Sequence, residues 1–144
     1  MNFDTNLPLQ TAVGSCAQVF ADLPQGREFY LTAAFDFYSV AIYRSNQVMI
    51  EASVGLKRIF PLPRPKMFLK PAVSVGFAYL AQMGDLPASQ FLSIKLFVET
   101  HFTIDARKAW VGELGLFHAP TGSNGKYDVT LGPGLFVRWG LAFR

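Results

Sequence analysis

The sequence predicts an all-β protein, an antiparallel up-and-down transmembrane β-barrel that we expect to have eight strands. Three observations lead to this prediction: apolar and polar residues alternate with period two, turn-forming residues separate the alternating runs, and charged residues are scarce. Only 16% of the 144 residues are charged and 51% are hydrophobic, whereas about 25% of an ordinary soluble domain is charged. No uncharged apolar run reaches the roughly 18 to 20 residues of a membrane helix, so any membrane crossing would use strands.

The N-terminal segment, residues 1–26, contains a weak first strand. In residues 9–20, Thr11, Val13, Ala17 and Val19 fall on one face. The barrel itself is predicted over residues 27–144, as a single domain. The long run 29–44 leaves open a bend that would divide it into two strands.

Six further runs alternate clearly, and each places its larger apolar side chains on one face. They cover residues 29–37, 47–57, 69–79, 92–104, 110–118 and 135–143. The last run carries Leu135, Val137, Trp139, Leu141 and Phe143 in one row, with Arg138 on the other face. An aromatic residue next to the last position is typical of the closing strand of an outer-membrane barrel.

Turn residues lie between these runs, at Ser45-Asn46, in the proline-rich stretch 61–65, at residues 84–87, at residues 105–107 and at residues 120–125. If the C-terminus faces the periplasm, the turns at 60–66 and 105–108 do so too. The turn at 119–127 is then extracellular.

The face opposite the apolar rows indicates which side is the lumen. It holds small residues and a few charges, which suit a narrow, filled interior where ion pairs such as Lys95 with Glu99 neutralise one another. We expect His101 to join this polar network. The alternative is a soluble lipocalin-like barrel, which requires the apolar rows to face inward.

One group of residues suggests chemistry. His118 falls on the lipid-facing row with Leu114 and Leu116, where a histidine without a partner is costly. A histidine base, a hydroxyl nucleophile and an orienting acid form a hydrolytic site. The candidates near His118 are Ser123 or Thr121 as nucleophile and Asp128 or Glu113 as acid. Parity places Glu113 on the opposite face and favours Asp128, while Asn124 and the backbone N–H groups around Gly122 and Gly125 are candidates to stabilise an oxyanion.

These residues also carry a resemblance. The run 114–118 ending in His118, then Ser123-Asn124-Gly125, then Gly132-Pro133-Gly134-Leu135 and a closing strand resembles the lipid A 3-O-deacylase family of eight-stranded outer-membrane barrels. The resemblance implies a Ser–His–acid site that faces lipid and removes an acyl chain from lipid A. The chain departs from the family pattern in two places. Pro120 stands where the family has serine, and residues 129–143 contain no carboxylate.

Two functions follow as hypotheses, both in the bacterial outer membrane. The first is an esterase that acts on lipid A or another acyl lipid, and the second is a non-catalytic structural or anchoring barrel, with lipid or envelope proteins as partners. The net charge of +3 is scattered, which argues against nucleic acid as a partner. Cys16 is the only cysteine, so neither an internal disulfide nor a cysteine-based metal site can form. We expect no cofactor and no metal.

Overall fold

The computed structural model describes residues 13–42, 45–63, 66–81, 88–123 and 131–143. These residues form eight strand segments, in agreement with the predicted all-β class. The segments are β1 (Val13–Pro24), β2 (Phe29–Ile42), β3 (Ser45–Arg58), β4 (Phe60–Pro61), β5 (Met67–Leu80), β6 (Ser89–Thr103), β7 (Lys108–Ser123) and β8 (Leu131–Phe143). No helix long and apolar enough to cross a membrane occurs in these ranges.

The strands form one antiparallel sheet that curls into a half-barrel. Its order is β1-β2-β3-β5-β6-β7-β8, with β4 also paired to β5. The pairing of Lys57 with Ala72 in β3–β5 is followed by that of Phe60 with Leu69 in β4–β5, three residues later on one side and three residues earlier on β5. Because the register is unchanged, β4 continues β3, and the described sheet is seven strands wide.

The six clear alternating runs found in the sequence lie in strands, except that β6 ends at Thr103, one residue before the end of the run 92–104. The run that begins at Phe29 is one strand as far as Ile42, without the bend that was left open. Residues 13–20 of the predicted N-terminal strand lie in β1, which extends to Pro24 and pairs with β2 along its whole length, whereas residues 9–12 lie outside the described residues. The interpretation of 120–125 as a turn was wrong at its start, because β7 continues to Ser123.

A bulge explains how β7 passes through Pro120. Pairing with β6 shifts here, since Leu92 lies opposite Thr121 but Ile94 lies opposite His118. An extra residue in one strand removes a position from the ladder, which accommodates a proline that has no N–H to donate. The β7–β8 register also shifts between Phe117 and Ala119.

The sheet is polar inside and apolar outside. Its buried side chains include Asp36, Glu51, Lys95 and Glu99, all at most 5% exposed. The large apolar residues of every row lie on the outer surface, for example Leu96 at 60% exposed. This arrangement confirms the predicted faces and is the reverse of what a soluble lipid carrier requires.

Glycines allow the inner faces to pack closely. A Cβ at Gly76 would lie 2.8 Å from Glu51 Oε1 and 2.9 Å from Ala52 O, and one at Gly115 would collide with the Cβ of Phe97. Backbones and side chains therefore fill the concave side at these positions, as expected for a small barrel.

Candidate functional site

His118, Thr121 and Ser123 lie toward one end of the sheet, which we call the Ser123 end. The ends of β7, β5 and β2 meet there, together with the starts of β1, β3, β6 and β8. The opposite end, called the Phe143 end, holds the turns near residues 60–66 and 104–107 and the end of β8. The predicted grouping of these two turns with the end of the last strand is confirmed.

His118 and Ser123 are five residues apart on the single strand β7. An extended strand rises about 3.3 Å per residue, so their Cα atoms are separated by up to about 16 Å, somewhat less across the bulge. Strand geometry therefore does not bring the His118 ring to the Ser123 hydroxyl. Thr121 lies on the same strand, beyond the bulge.

The remaining predicted residues are divided. Glu113 lies on the inner face at 6% exposed, as parity indicated, and its carboxylate accepts hydrogen bonds from Arg138. It therefore belongs to the interior and does not orient His118. Asp128, Asn124 and Gly125 lie outside the described residues.

The structure assembles a different set of polar residues inside the half-barrel, in two groups. The first group, nearer the Ser123 end, is centred on Lys95. Its ammonium lies 2.6 Å from Glu51 Oε2 and 3.4 Å from Asp36 Oδ2, and it donates to the Tyr38 hydroxyl at 3.1 Å. Ser93 donates to the other Glu51 oxygen at 2.6 Å.

Arg138 joins this group from β8. Its guanidinium donates to Glu113 on the neighbouring strand and, at 3.2 Å, to Asp36 Oδ1 on β2. It also donates to the Tyr38 hydroxyl at 2.9 Å. One side chain therefore connects the last strand to the second strand across the interior.

The second group lies nearer the Phe143 end and is centred on Glu99. Lys57 lies 2.8 Å and Lys70 3.3 Å from the Glu99 carboxylate, and His101 Nε2 lies 2.5 Å from Glu99 Oε1. Asp22 on β1 adds a second carboxylate near both lysines, at 3.4 and 3.9 Å. These contacts place His101 in the interior polar network, as predicted.

The prediction that Lys95 pairs with Glu99 was wrong, because each residue has other partners. Residues four apart on a strand point to the same face but lie about 13 Å apart, too far for an ion pair. Each side chain instead meets residues of other strands, Lys95 on β2 and β3 and Glu99 on β3 and β5.

A cleft lies between the two edges of the sheet, and we call it the seam. It has a volume of about 260 Å³, with Cys16, Gln18 and Phe20 on its β1 side and Trp139 and Leu141 among the residues on its β8 side. In the described part of the chain no Cα atom of β1 lies within 8 Å of one of β8. The guanidinium of Arg138 crosses this gap and lies 3.8 Å from the Cys16 sulfur.

The two interior groups contain five carboxylates facing four Lys or Arg side chains and His101. Buried charges are tolerated when they are paired and hydrogen-bonded, and each of these side chains has at least one oppositely charged partner. In the part of the chain that the structure describes, Asp22 Oδ1 and His101 Nδ1 are buried without a hydrogen-bond partner. Because opposite charges neutralise one another within each group, the two groups are better suited to holding the strands together than to activating a nucleophile. Among the described residues, no three His, Cys, Asp or Glu side chains are grouped as ligands for a metal ion.

Sequence reasoning placed these residues on the correct face but missed the groups they form. Asp36 and Glu51 each stand between outward apolar neighbours, and Lys57 follows the outward Leu56, which was the available signal. Comparisons with protein-family models, with curated proteins and with solved structures found no match to this chain.

Proposed function

We propose that this chain is an outer-membrane β-barrel protein with a structural or anchoring role, in contact with membrane lipid on its outer face. The observation that carries the proposal is the inverted distribution of polarity. Ion pairs occupy the concave side of the sheet, and rows of large apolar residues cover the convex side. In water this arrangement would be costly, whereas a bilayer favours it.

The convex surface is too apolar for an ordinary soluble face. Leu114 and Leu116 on β7 are 54% and 51% exposed, and Val137 and Trp139 on β8 are 66% and 84% exposed. These residues belong to neighbouring strands, so they form a continuous surface and not scattered exceptions. Lipid contact would cover this surface, and interfacial tryptophans suit such a location.

The contacts among the charged groups inside the half-barrel favour an anchoring role over a hydrolytic one. Its charged groups are engaged with one another, and the His118 and Ser123 side chains start from distant points of one strand. A Ser–His pair must come within about 3 Å to transfer a proton. Lipid A deacylation is therefore the less supported of the two functions, and the experiment below is designed to detect it.

The test is expression of the chain in a Gram-negative host, followed by two measurements on the isolated outer membranes. Heat-modifiable gel mobility reports a folded barrel, and mass spectrometry of lipid A reports acyl chains. We expect a folded, heat-modifiable band in the outer membrane and an unchanged lipid A profile. Absence of the chain from the membrane fraction would contradict the proposed location.

The matched controls are His118→Ala and Ser123→Ala. We expect both variants to give the parent's lipid A profile. Loss of one acyl chain with the parent, but with neither variant, would overturn the structural role and establish the esterase.

A further inference from the structure

The seam between β1 and β8 has the direction and the width for one more strand. The sheet is an antiparallel path of seven strands, so its first and last strands run in the same direction. Both start at the Ser123 end and finish at the Phe143 end. Direct closure of β1 on β8 would thus form a parallel pair, whereas one strand running the opposite way would pair antiparallel with both edges.

The width agrees with the direction. Neighbouring strands lie about 4.8 Å apart, so two strands that flank a third are separated by about 9.6 Å. The described Cα atoms of β1 and β8 are all more than 8 Å apart, yet Arg138 reaches across to within 3.8 Å of the Cys16 sulfur. A gap of this size is too wide for direct pairing and narrow enough for one interposed strand.

Covering the exposed edges of β1 and β8 would also be energetically favourable. β1 and β8 are long edge strands whose outward side chains are apolar, such as Val19 at 76% exposed and Leu135 at 72% exposed. At the proposed location, the unpaired N–H and C=O groups of both edges would face hydrocarbon, which does not satisfy them.

We propose that a strand from residues 1–12 fills the seam and completes an eight-stranded antiparallel barrel. These residues lie outside the described ones, and the proposal rests on their length, their sequence and the point where they join β1. They join it at Val13, at the Ser123 end, and a hairpin at that point makes the preceding strand antiparallel to β1. After a three-residue turn nine residues remain, which is within the 9–11 residues of a membrane-crossing strand.

The sequence of this segment has the polarity that the seam requires. Odd positions carry Phe3, Thr5, Leu7 and Leu9, and even positions carry Asn2, Asp4, Asn6, Pro8 and Gln10. The apolar odd row would face lipid, and the polar even row would face the interior beside Gln18 and Arg138. Cys16 points inward, because its sulfur lies 4.0 Å from Asp36 Oδ1, so an even-numbered residue would lie opposite it.

Disulfide formation with the native Cys16 tests this proposal in the full-length chain. With β1 starting at Val13, a three-residue turn places Asn6 opposite Cys16 and a five-residue turn places Asp4 there. The test variants are therefore Asn6→Cys and Asp4→Cys, and Thr5→Cys and Leu7→Cys are the matched controls. Facing residues of paired strands come close enough for a disulfide, but residues on opposite faces do not. We expect at least one even-numbered variant to form an intramolecular disulfide with Cys16, and neither odd-numbered variant to do so.

The variant Gly140→Cys tests direct closure of the two edges, because a Cβ at Gly140 meets no atom within 4 Å and the residue lines the seam. Formation of a disulfide between Cys16 and the thiol introduced by Gly140→Cys would overturn the proposal. So would capture of a second polypeptide by Cys16, or failure of both even-numbered variants to form the disulfide.

The inference rests on the proposed membrane location, and the readout separates the two. Disulfides are scored only in the folded, heat-modifiable band from the outer membrane. Absence of that band from the parent contradicts the proposed function, whereas a folded band with the wrong disulfide pattern contradicts the seam strand alone.

Discussion

At the scale of single residues, the buried ion pairs are the feature on which the interior depends. Glu51 is fully buried and has three polar partners from two other strands: Lys95 and Ser93 on β6, and Tyr38 on β2. Removing one member of such a group leaves the others desolvated and uncompensated. This is more costly than replacing the whole group by apolar residues.

The variant Lys95→Met tests this dependence. Methionine keeps most of the side-chain volume but leaves the carboxylates of Glu51 and Asp36 without their shared ammonium. We expect the free energy of unfolding to fall by about 3–5 kcal/mol. The measurement is urea unfolding of the full-length chain refolded in phospholipid vesicles.

The matched control is Arg58→Ala, which breaks an exposed ion pair. Arg58 donates to Glu28 at 2.8 Å, with the two side chains 45% and 55% exposed. Since water already solvates both charges, we expect a loss below about 1 kcal/mol. A loss as large as that of Lys95→Met would show that burial does not determine the effect.

At the scale of strands, close approach of the inner faces depends on glycines at defined positions. Gly115 on β7 lies opposite Phe97 on β6, and an added Cβ would collide with that side chain. The variant Gly115→Ala should reduce the free energy of unfolding by about 1–3 kcal/mol, because overpacking forces the neighbours apart. Unfolding in vesicles followed by circular dichroism would measure it.

Gly140 on β8 provides the control for this strand effect. An added Cβ there meets nothing within 4 Å, so Gly140→Ala should leave the midpoint of unfolding close to that of the parent. If both variants lost the same free energy of unfolding, the effect would come from the backbone conformation of glycine and not from packing.

The strands themselves were largely predictable from the sequence, because period-two alternation depends only on local chain geometry. Parity placed Lys95, His101 and Glu113 on the inner face correctly. The partners of these residues were not predictable, since Lys95 on β6 meets Asp36 on β2 only after the sheet has curled. The extension of β7 through Pro120 was missed because a bulge is not visible in the alternation.

The chemistry proposed for His118 and Ser123 depended on a turn between them. The structure places both residues on β7, so five residues of strand replace the expected turn. The distance between two residues can be inferred from their spacing in the sequence only when the secondary structure between them is known. Here Pro120 and Gly122 favoured a turn, whereas the chain forms a bulged strand.

At the scale of the whole molecule, the outer surface should tolerate charge only near the ends of the strands. Leu96 lies near the middle of β6, and Phe102 lies near the Phe143 end of the same strand. Leu96→Arg should cost about 2–4 kcal/mol of unfolding free energy in vesicles, and Phe102→Arg about 0–1 kcal/mol. Equal tolerance at both positions would argue that the surface faces water.

The central claim, that the convex surface contacts lipid hydrocarbon, is tested most directly by tryptophan fluorescence. Trp110 and Trp139 are the only tryptophans, and both lie on the convex surface, 49% and 84% exposed. Trp139 lies four residues from the end of β8 and Trp110 two residues from the start of β7, about 13 and 7 Å along the strands. The variants Trp110→Phe and Trp139→Phe isolate the two signals.

The measurement is quenching by lipids brominated at defined depths, in vesicles containing each variant. We predict that deeply placed bromine quenches Trp139 most strongly and that bromine nearer the headgroup quenches Trp110 most strongly. Insensitivity of both tryptophans to brominated lipid, together with full quenching by aqueous iodide, would contradict the account.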